Sequence, residues 1–244
     1  MSMTAAAIPL PAARRRLYVG LALLAIAIAA VGFWPTYFGP LVAGSVDKPT
    51  VIHFHAAVYV GWLAIFLTQA VLAATGRIAL HMKLGRFAIG YGVLVIVAGL
   101  IAGFGMFVLR VRAGAVAEAQ GRLIGPVLDM LVFAPVFAAA VYYRRKPELH
   151  KRLMIVATTA LLIAAATRIP FAEELRRPLV YLVWTLPILL AMAHDFWRHR
   201  RIHPIYVGGL VVLVLEGPIS RAALRQSEAV RDATAWLASL VAQP

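Results

Sequence analysis

The chain contains no cysteine. That excludes disulfides, thiolate catalysis, Cys-ligated iron–sulfur clusters and Cys-held zinc, and leaves histidine and the acids as candidate metal ligands. Acids are themselves scarce: 10 Asp and Glu stand against 24 Lys and Arg in 244 residues, and only 14% of the chain is charged. A soluble domain carries about a quarter. With 62% apolar residues and a mean hydropathy of +0.84, the chain lacks the charge needed to cover a water-facing surface.

What it has instead is a series of long apolar runs. A helix needs about 20 apolar residues to cross a hydrocarbon core of about 30 Å. Runs of that order recur at about 17–38, 51–75, 86–109, 123–143, 153–172, 178–194 and 205–224. They predict an all-α, polytopic transmembrane helix bundle of about seven spans. The first run is long for the apolar core of a cleaved signal peptide, and it closes on Phe33, Trp34, Tyr37 and Phe38, an interfacial aromatic belt. The seventh is interrupted by Glu216, Gly217 and Pro218, which predicts a kinked or unwound outer end, with a re-entrant segment as the alternative to a full span. The expected organisation is a basic cytoplasmic segment over 1–16, a transmembrane domain over 17–224 and an amphipathic interfacial segment over 225–244. In that last segment Val230, Ala233, Leu237 and Val241 share one face, with Trp236 at its margin.

A formal charge of +14 resembles a nucleic-acid footprint until its placement is considered. The cations sit in short clusters between apolar runs: Arg14–Arg16, then Arg77, Lys83 and Arg86, then Arg144–Lys146 with Lys151 and Arg152, then Arg198, Arg200 and Arg201. All of these fall on one side if the N-terminus is cytoplasmic, and the opposite loops hold fewer. This is the positive-inside pattern of a multi-pass protein, with the lipid bilayer as partner and anionic lipids expected at the cytoplasmic face. Nucleic acid is not an expected partner.

Two cytoplasmic loops enter spans with nearly the same wording, Leu80-His81-Met82-Lys83-Leu84-Gly85 and Leu149-His150-Lys151-Arg152-Leu153-Met154. Each places a histidine at the entry of a span, the third and the fifth. Two imidazoles at matching depth on different helices are what a b-type haem with two axial histidines requires. In the third span Gly85, Gly92, Gly99 and Gly103, with Ala88, share the face of His81, which leaves room for a flat macrocycle. The same stripe contains a G-x-x-x-G and equally suits close helix packing.

Ionisable groups inside spans are costly and mark function or a structural pair. His53 and His55, Asp129, Arg168 and Glu216 all fall toward the outer side, on four different spans. Arg168 with Asp129 or Glu216 is a candidate ion pair fixing helix register. His53 and His55 are a candidate metal pair only where the helix is unwound, since residues two apart point about 200° apart on a helix. A proton or substrate path, or a quinone pocket using His55, is a further candidate; His55, Tyr59, Trp62 and Gln69 share one face. His199 and His203 have zinc-like i, i+4 spacing, but the surrounding arginines and Pro204 read as a solvated basic loop.

The order Phe33-Trp34-Pro35-Thr36-Tyr37-Phe38, His53-x-His55, Trp62, Gln69, His81-x-x-x-Gly85 and His150-x-Arg152-x-Met154, with a later Arg168, resembles a family of uncharacterised bacterial multi-pass inner-membrane proteins. That resemblance implies a bacterial inner-membrane location and lends no activity. More distantly the chain is similar to ascorbate-reducible b-type transmembrane cytochromes, whose core helices carry paired axial histidines. The similarity implies one haem b, held by His81 and His150; a second pair is not available, because the fourth span has no histidine to meet His55. The leading expectation is an inner-membrane protein with a haem-associated redox role. Its rivals are a non-enzymatic assembly factor or subunit of a membrane complex, and a small proton-coupled transporter using Asp129, Arg168 and Glu216. A metal-dependent intramembrane hydrolase ranks below these for want of three converging ligands. A retinal protein is excluded because the seventh span has no lysine.

Overall fold

A computed structural model describes residues 12–169 and 176–242. Most of the basic 1–16 segment and the last two residues of the 225–244 segment therefore lie outside the described residues. Among those described there is no strand, and seven helices are long and apolar enough to cross a membrane. They are α1 (Ala12–Phe33), α2 (Thr50–Ala74), α3 (Ile78–Arg112), α4 (Val116–Tyr142), α5 (Pro147–Ala160, resuming at Ile163–Ala166), α6 (Arg176–His199) and α7 (Pro204–Val214, continuing to Gln226). An eighth, α8 (Glu228–Ala242), follows. This is the expected all-α bundle of seven spans.

The sequence fixes several helix ends directly. Pro147 and Pro204 open α5 and α7, where a missing N–H costs nothing and φ is already helical. α2 and α3 end on Gly76 and Gly114, both at positive φ (76° and 78°). At the first the next N–H reaches back, Arg77 to Leu72 at 2.9 Å; at the second Ala115 reaches Arg110 at 2.9 Å. A side chain at either glycine would strain the backbone that makes this reversal possible.

α5 is the most deeply enclosed span. On one side it meets a core of Val58 and Trp62 (α2), Val95 and Ala98 (α3), and Phe133 and Phe137 (α4). On the other it meets Leu21 and Ala25 (α1), Trp184 and Ile188 (α6), and Tyr206 and Leu213 (α7). Large apolar side chains such as Leu23, Val93, Leu131 and Val211 point outward, as they do where the solvent is lipid.

Two spans depart from regular helix. Around position 218, α7 widens into a π-turn over Leu215–Ser220, where proline supplies no N–H to the ladder. The expected interruption is therefore a widened turn within a continuing span. α5 is broken at Leu161 and Leu162, where Leu161 N reaches Thr158 O at 3.2 Å and Leu162 N reaches Thr159 O at 3.0 Å, a local tightening. The indole N–H of Trp184 also donates to Thr159 O at 2.8 Å, a second donor that ties α6 to the break.

The tail helix α8 does more than lie on a surface. Thr234 and Ala238 are buried, with Val230, Leu237 and Val241 partly so, and Ala238 packs on Phe107, Val111, Ala119 and Leu123 at the ends of α3 and α4. Ala233, expected on the buried face, is exposed together with Trp236 and Leu240. α8 thus has one stripe for the bundle and a second apolar stripe facing out.

Candidate functional site

His81 lies at the start of α3 and His150 at the start of α5, and the bundle brings them together. Their ring centres are 6.5 Å apart and their planes lie at 81°. Each ring is held through Nδ1: His81 Nδ1 is 3.3 Å from Gln69 O, and His150 Nδ1 is 2.8 Å from Ala140 O. A carbonyl only accepts, so both Nδ1 atoms carry the hydrogen, and a ring in its neutral form then has its lone pair on Nε2. This is the tautomer and the orientation of a metal-bound histidine with its other nitrogen tied to backbone. The carbonyl acceptors lie on α2 and α4, so four helices set the pair.

The glycine stripe divides into two parts. A Cβ on Gly92 would collide with the Phe137 ring, and one on Gly99 would meet Met130 Sδ at 2.9 Å and the Tyr59 hydroxyl. One on Gly103 would meet Pro126 at 2.8 Å. These three glycines therefore admit side chains of α2 and α4, and the stripe is used for packing over most of its length. Gly92 and Gly99 are corrected from a haem-facing role to a packing role. A Cβ on Gly85, one turn from His81, would stand 3.3 Å from the Gln69 amide nitrogen, so this glycine stays beside the histidine pair.

At the opposite end of the bundle Asp129 (α4) and Glu216 (α7) share one partner, and it is not Arg168. Arg221, just past the π-turn of α7, donates through Nη2 to both carboxylates. Arg168 is exposed, with its guanidinium on Ala164 O and over the Phe33 ring at 5.0 Å. The expected Asp129–Arg168–Glu216 cluster is thus corrected to Asp129–Arg221–Glu216. Arg221 falls within the expected seventh span, three residues past Pro218; the π-turn lets α7 continue and places Arg221 inside the bundle.

His53 and His55 do not form a metal pair. α2 is regular helix there, so the rings diverge: His53 Nδ1 meets the Tyr37 hydroxyl at 3.0 Å, while His55 stacks on Tyr59 with centres 4.0 Å apart. Tyr59 in turn reaches Met130 Sδ at 3.7 Å. Among the described residues no group of three His or acidic side chains converges as a metal site.

The structure also contains an assembly that sequence reasoning did not find. Near the histidine pair, Arg152 (α5) is buried against Asp195 (α6), Nη2 to Oδ2 at 3.1 Å and Nε to Oδ2 at 3.3 Å. Its Nη1 bonds Glu148 Oε2 at 2.6 Å. The guanidinium lies 5.6 Å from the Tyr206 ring centre of α7, and the Tyr206 hydroxyl is 3.3 Å from that of Tyr18 on α1. Arg152 therefore ties α5 to α6 and α7. Asp195 falls one residue past the apolar run that marks α6, so it reads as loop. A signal was present: Glu148 and Asp195 are the two acids among the clustered cations of that face. The His150-x-Arg152-x-Met154 wording now separates physically: His150 faces His81, Arg152 faces Asp195, and Met154 packs into both cores.

His203, outside the spans, caps α7 by accepting from Ile205 N at 3.3 Å. Burial, and then the nearby Arg152 charge, push its imidazole below the ordinary value. Two cavities open between spans, one of about 380 Å³ lined by Leu72, Leu80, Lys83, Leu84 and Phe87, the other of about 280 Å³ beside Tyr181, Trp184 and Thr185. No family model, no curated protein sequence and no solved structure matches this chain.

Proposed function

We propose that this integral membrane protein binds one haem b between His81 and His150 and serves a redox role in a bacterial inner membrane, with its N-terminus and basic loops cytoplasmic. The observation that carries this reading is the pair itself. A haem bound here would be held by these two side chains, which must stand close enough to share one iron. The observed separation is 6.5 Å, with each Nδ1 tied to a carbonyl and each Nε2 left for a ligand.

The donor count favours haem over a bare ion. Zinc or copper in such a setting needs three or four protein donors. Haem brings most of its own donors and would ask the chain for only two. In the bound form His81 and His150 would be those ligands, and the haem would supply one-electron chemistry. The chain's own part is to orient both rings through Nδ1. Gly85 keeps the turn beyond His81 free of a side chain.

The test is a reduced-minus-oxidised visible spectrum of protein purified in mild detergent from cells supplied with haem precursor. Sharp b-type bands in proportion to protein are expected, and they should vanish in His81→Ala and in His150→Ala while both variants remain monodisperse. A colourless parent protein, with metal content also absent, would remove the redox role.

A further inference from the structure

Arg152 and Arg221 each hold two acids, and they use their nitrogens in opposite ways. Arg152 spreads its acids apart: Nε and Nη2 go to Asp195, and Nη1 goes to Glu148. Lys151 also pairs with Glu148, at 2.7 Å, so two cations stand against two acids. Arg221 instead brings Asp129 and Glu216 to the same nitrogen, Nη2, while its Nε is buried with no hydrogen-bond partner. Among the described residues one cation there stands against two acids.

The neighbours do not supply the missing charge. Arg122, two turns before Asp129 on α4, is engaged with Glu118, as is Arg110 of α3. Tyr59 of α2, the titratable side chain beside Asp129, donates to Met130 Sδ. Arg225, Glu228, Arg231 and Asp232, further along the chain, are exposed. Glu216 is only 6% exposed and Asp129 16%, both within spans, where an unbalanced charge is costly.

Two oxygens on one nitrogen lie within about 6 Å of each other, since each N–H···O distance is about 3 Å. Two ionised carboxylates would repel at that range and take separate N–H groups of the guanidinium, as Asp195 and Glu148 do on Arg152. Convergence on one nitrogen, with another N–H left empty, is instead the arrangement of a carboxylic acid beside a carboxylate. Like charges so close in a site poor in water do not both ionise.

We propose that Asp129, Glu216 and Arg221 form a proton-binding site, which holds one proton between the two carboxyls at neutral pH. A proton from water adds to one carboxylate oxygen, and the O–H so formed donates to the other carboxylate; no other bond changes. The three side chains then carry no net charge. Loss of the proton leaves one negative charge in the half of the bundle away from the basic loops. The site does not depend on haem at His81 and His150.

Infrared spectroscopy of the full chain in mild detergent reads the proton directly, because the C=O stretch of a carboxylic acid stands apart from that of a carboxylate and shifts in D2O. At neutral pH the parent should show a band equivalent to one protonated carboxyl per chain. Asp129→Asn and Glu216→Gln should each abolish it, since one acid then faces one guanidinium. Arg221→Gln should roughly double it, because both acids lose their counter-charge. Arg168→Gln should leave it unchanged. Where Arg221→Gln does not accumulate, the parent and the two amide variants, which keep the side-chain shapes, carry the test. Absence of the band in the parent overturns the proposal, as both acids are then ionised. So does a band that persists in either amide variant, since the proton is then not shared by this pair. Loss of the parent band when sodium chloride replaces choline chloride at fixed pH also overturns it, by making sodium the ion that the acids hold.

Discussion

Arg152 on α5 and Asp195 on α6 form a buried, two-point ion pair, with Nη2 3.1 Å from Oδ2 and 3.2 Å from Oδ1. The guanidinium is 4% exposed and the carboxylate 6%. Removing one partner of such a pair leaves an uncompensated buried charge, at a cost of about 3–5 kcal/mol. Arg152→Ala should therefore lower the thermal midpoint in detergent sharply. The double variant Arg152→Leu/Asp195→Leu should recover much of the loss, because no charge is then stranded. Equal instability of the single and double variants would show that the energy lies in packing.

The exchange of Arg168 for Arg221 gives a second contrast. Arg221→Gln strands two acids and should destabilise by about 3 kcal/mol or more. Arg168→Gln removes an exposed guanidinium and should cost well under half as much. Chemical or thermal unfolding of the two variants side by side decides it, and the reverse order would restore the sequence-based pairing.

Small residues differ in how much their neighbours can yield. A Cβ on Gly32 meets the backbone of Ala165, whereas one on Gly92 meets the Phe137 ring. A ring can shift and a helix backbone cannot, so Gly32→Ala should reach the upper end of the overpacking range, about 3 kcal/mol. Gly92→Ala should cost about 1–3 kcal/mol and should be partly relieved by Phe137→Leu. Thermal midpoints of the three variants check the order.

His203 provides the pH dependence. Its imidazole is pushed down in the folded protein, and its Nδ1 must be unprotonated to cap α7. The stabilisation is therefore complete above the ordinary imidazole value of about 6.5 and is lost as pH falls through the lower folded value. Between pH 7 and a pH below the ordinary imidazole value the parent should lose cap stability that His203→Asn, which caps without titrating, keeps. Parallel melting curves at the two pH values isolate this difference from the other histidines.

The seven spans and the tail helix were legible because hydropathy and cation placement act locally. A run of about 20 apolar residues has one stable form in lipid, and Gly76 or Pro204 marks a helix end wherever the rest of the chain lies. The approach of His81 to His150 was also foreshadowed, since a repeated motif at the same depth leaves only rotation and neighbourhood to be met. What the sequence could not carry was rotation about each helix axis and the order of neighbours. These are set by which small residues let which helices close in. Arg168 was the arginine expected to pair with the acids; the π-turn around Pro218 turned Arg221 inward instead. Asp195 looked like loop until α6 ran one turn longer and met Arg152. Depth in a membrane is written in one dimension and is read directly from the chain. Partnership across the bundle depends on three-dimensional packing, and only the tertiary structure decided it.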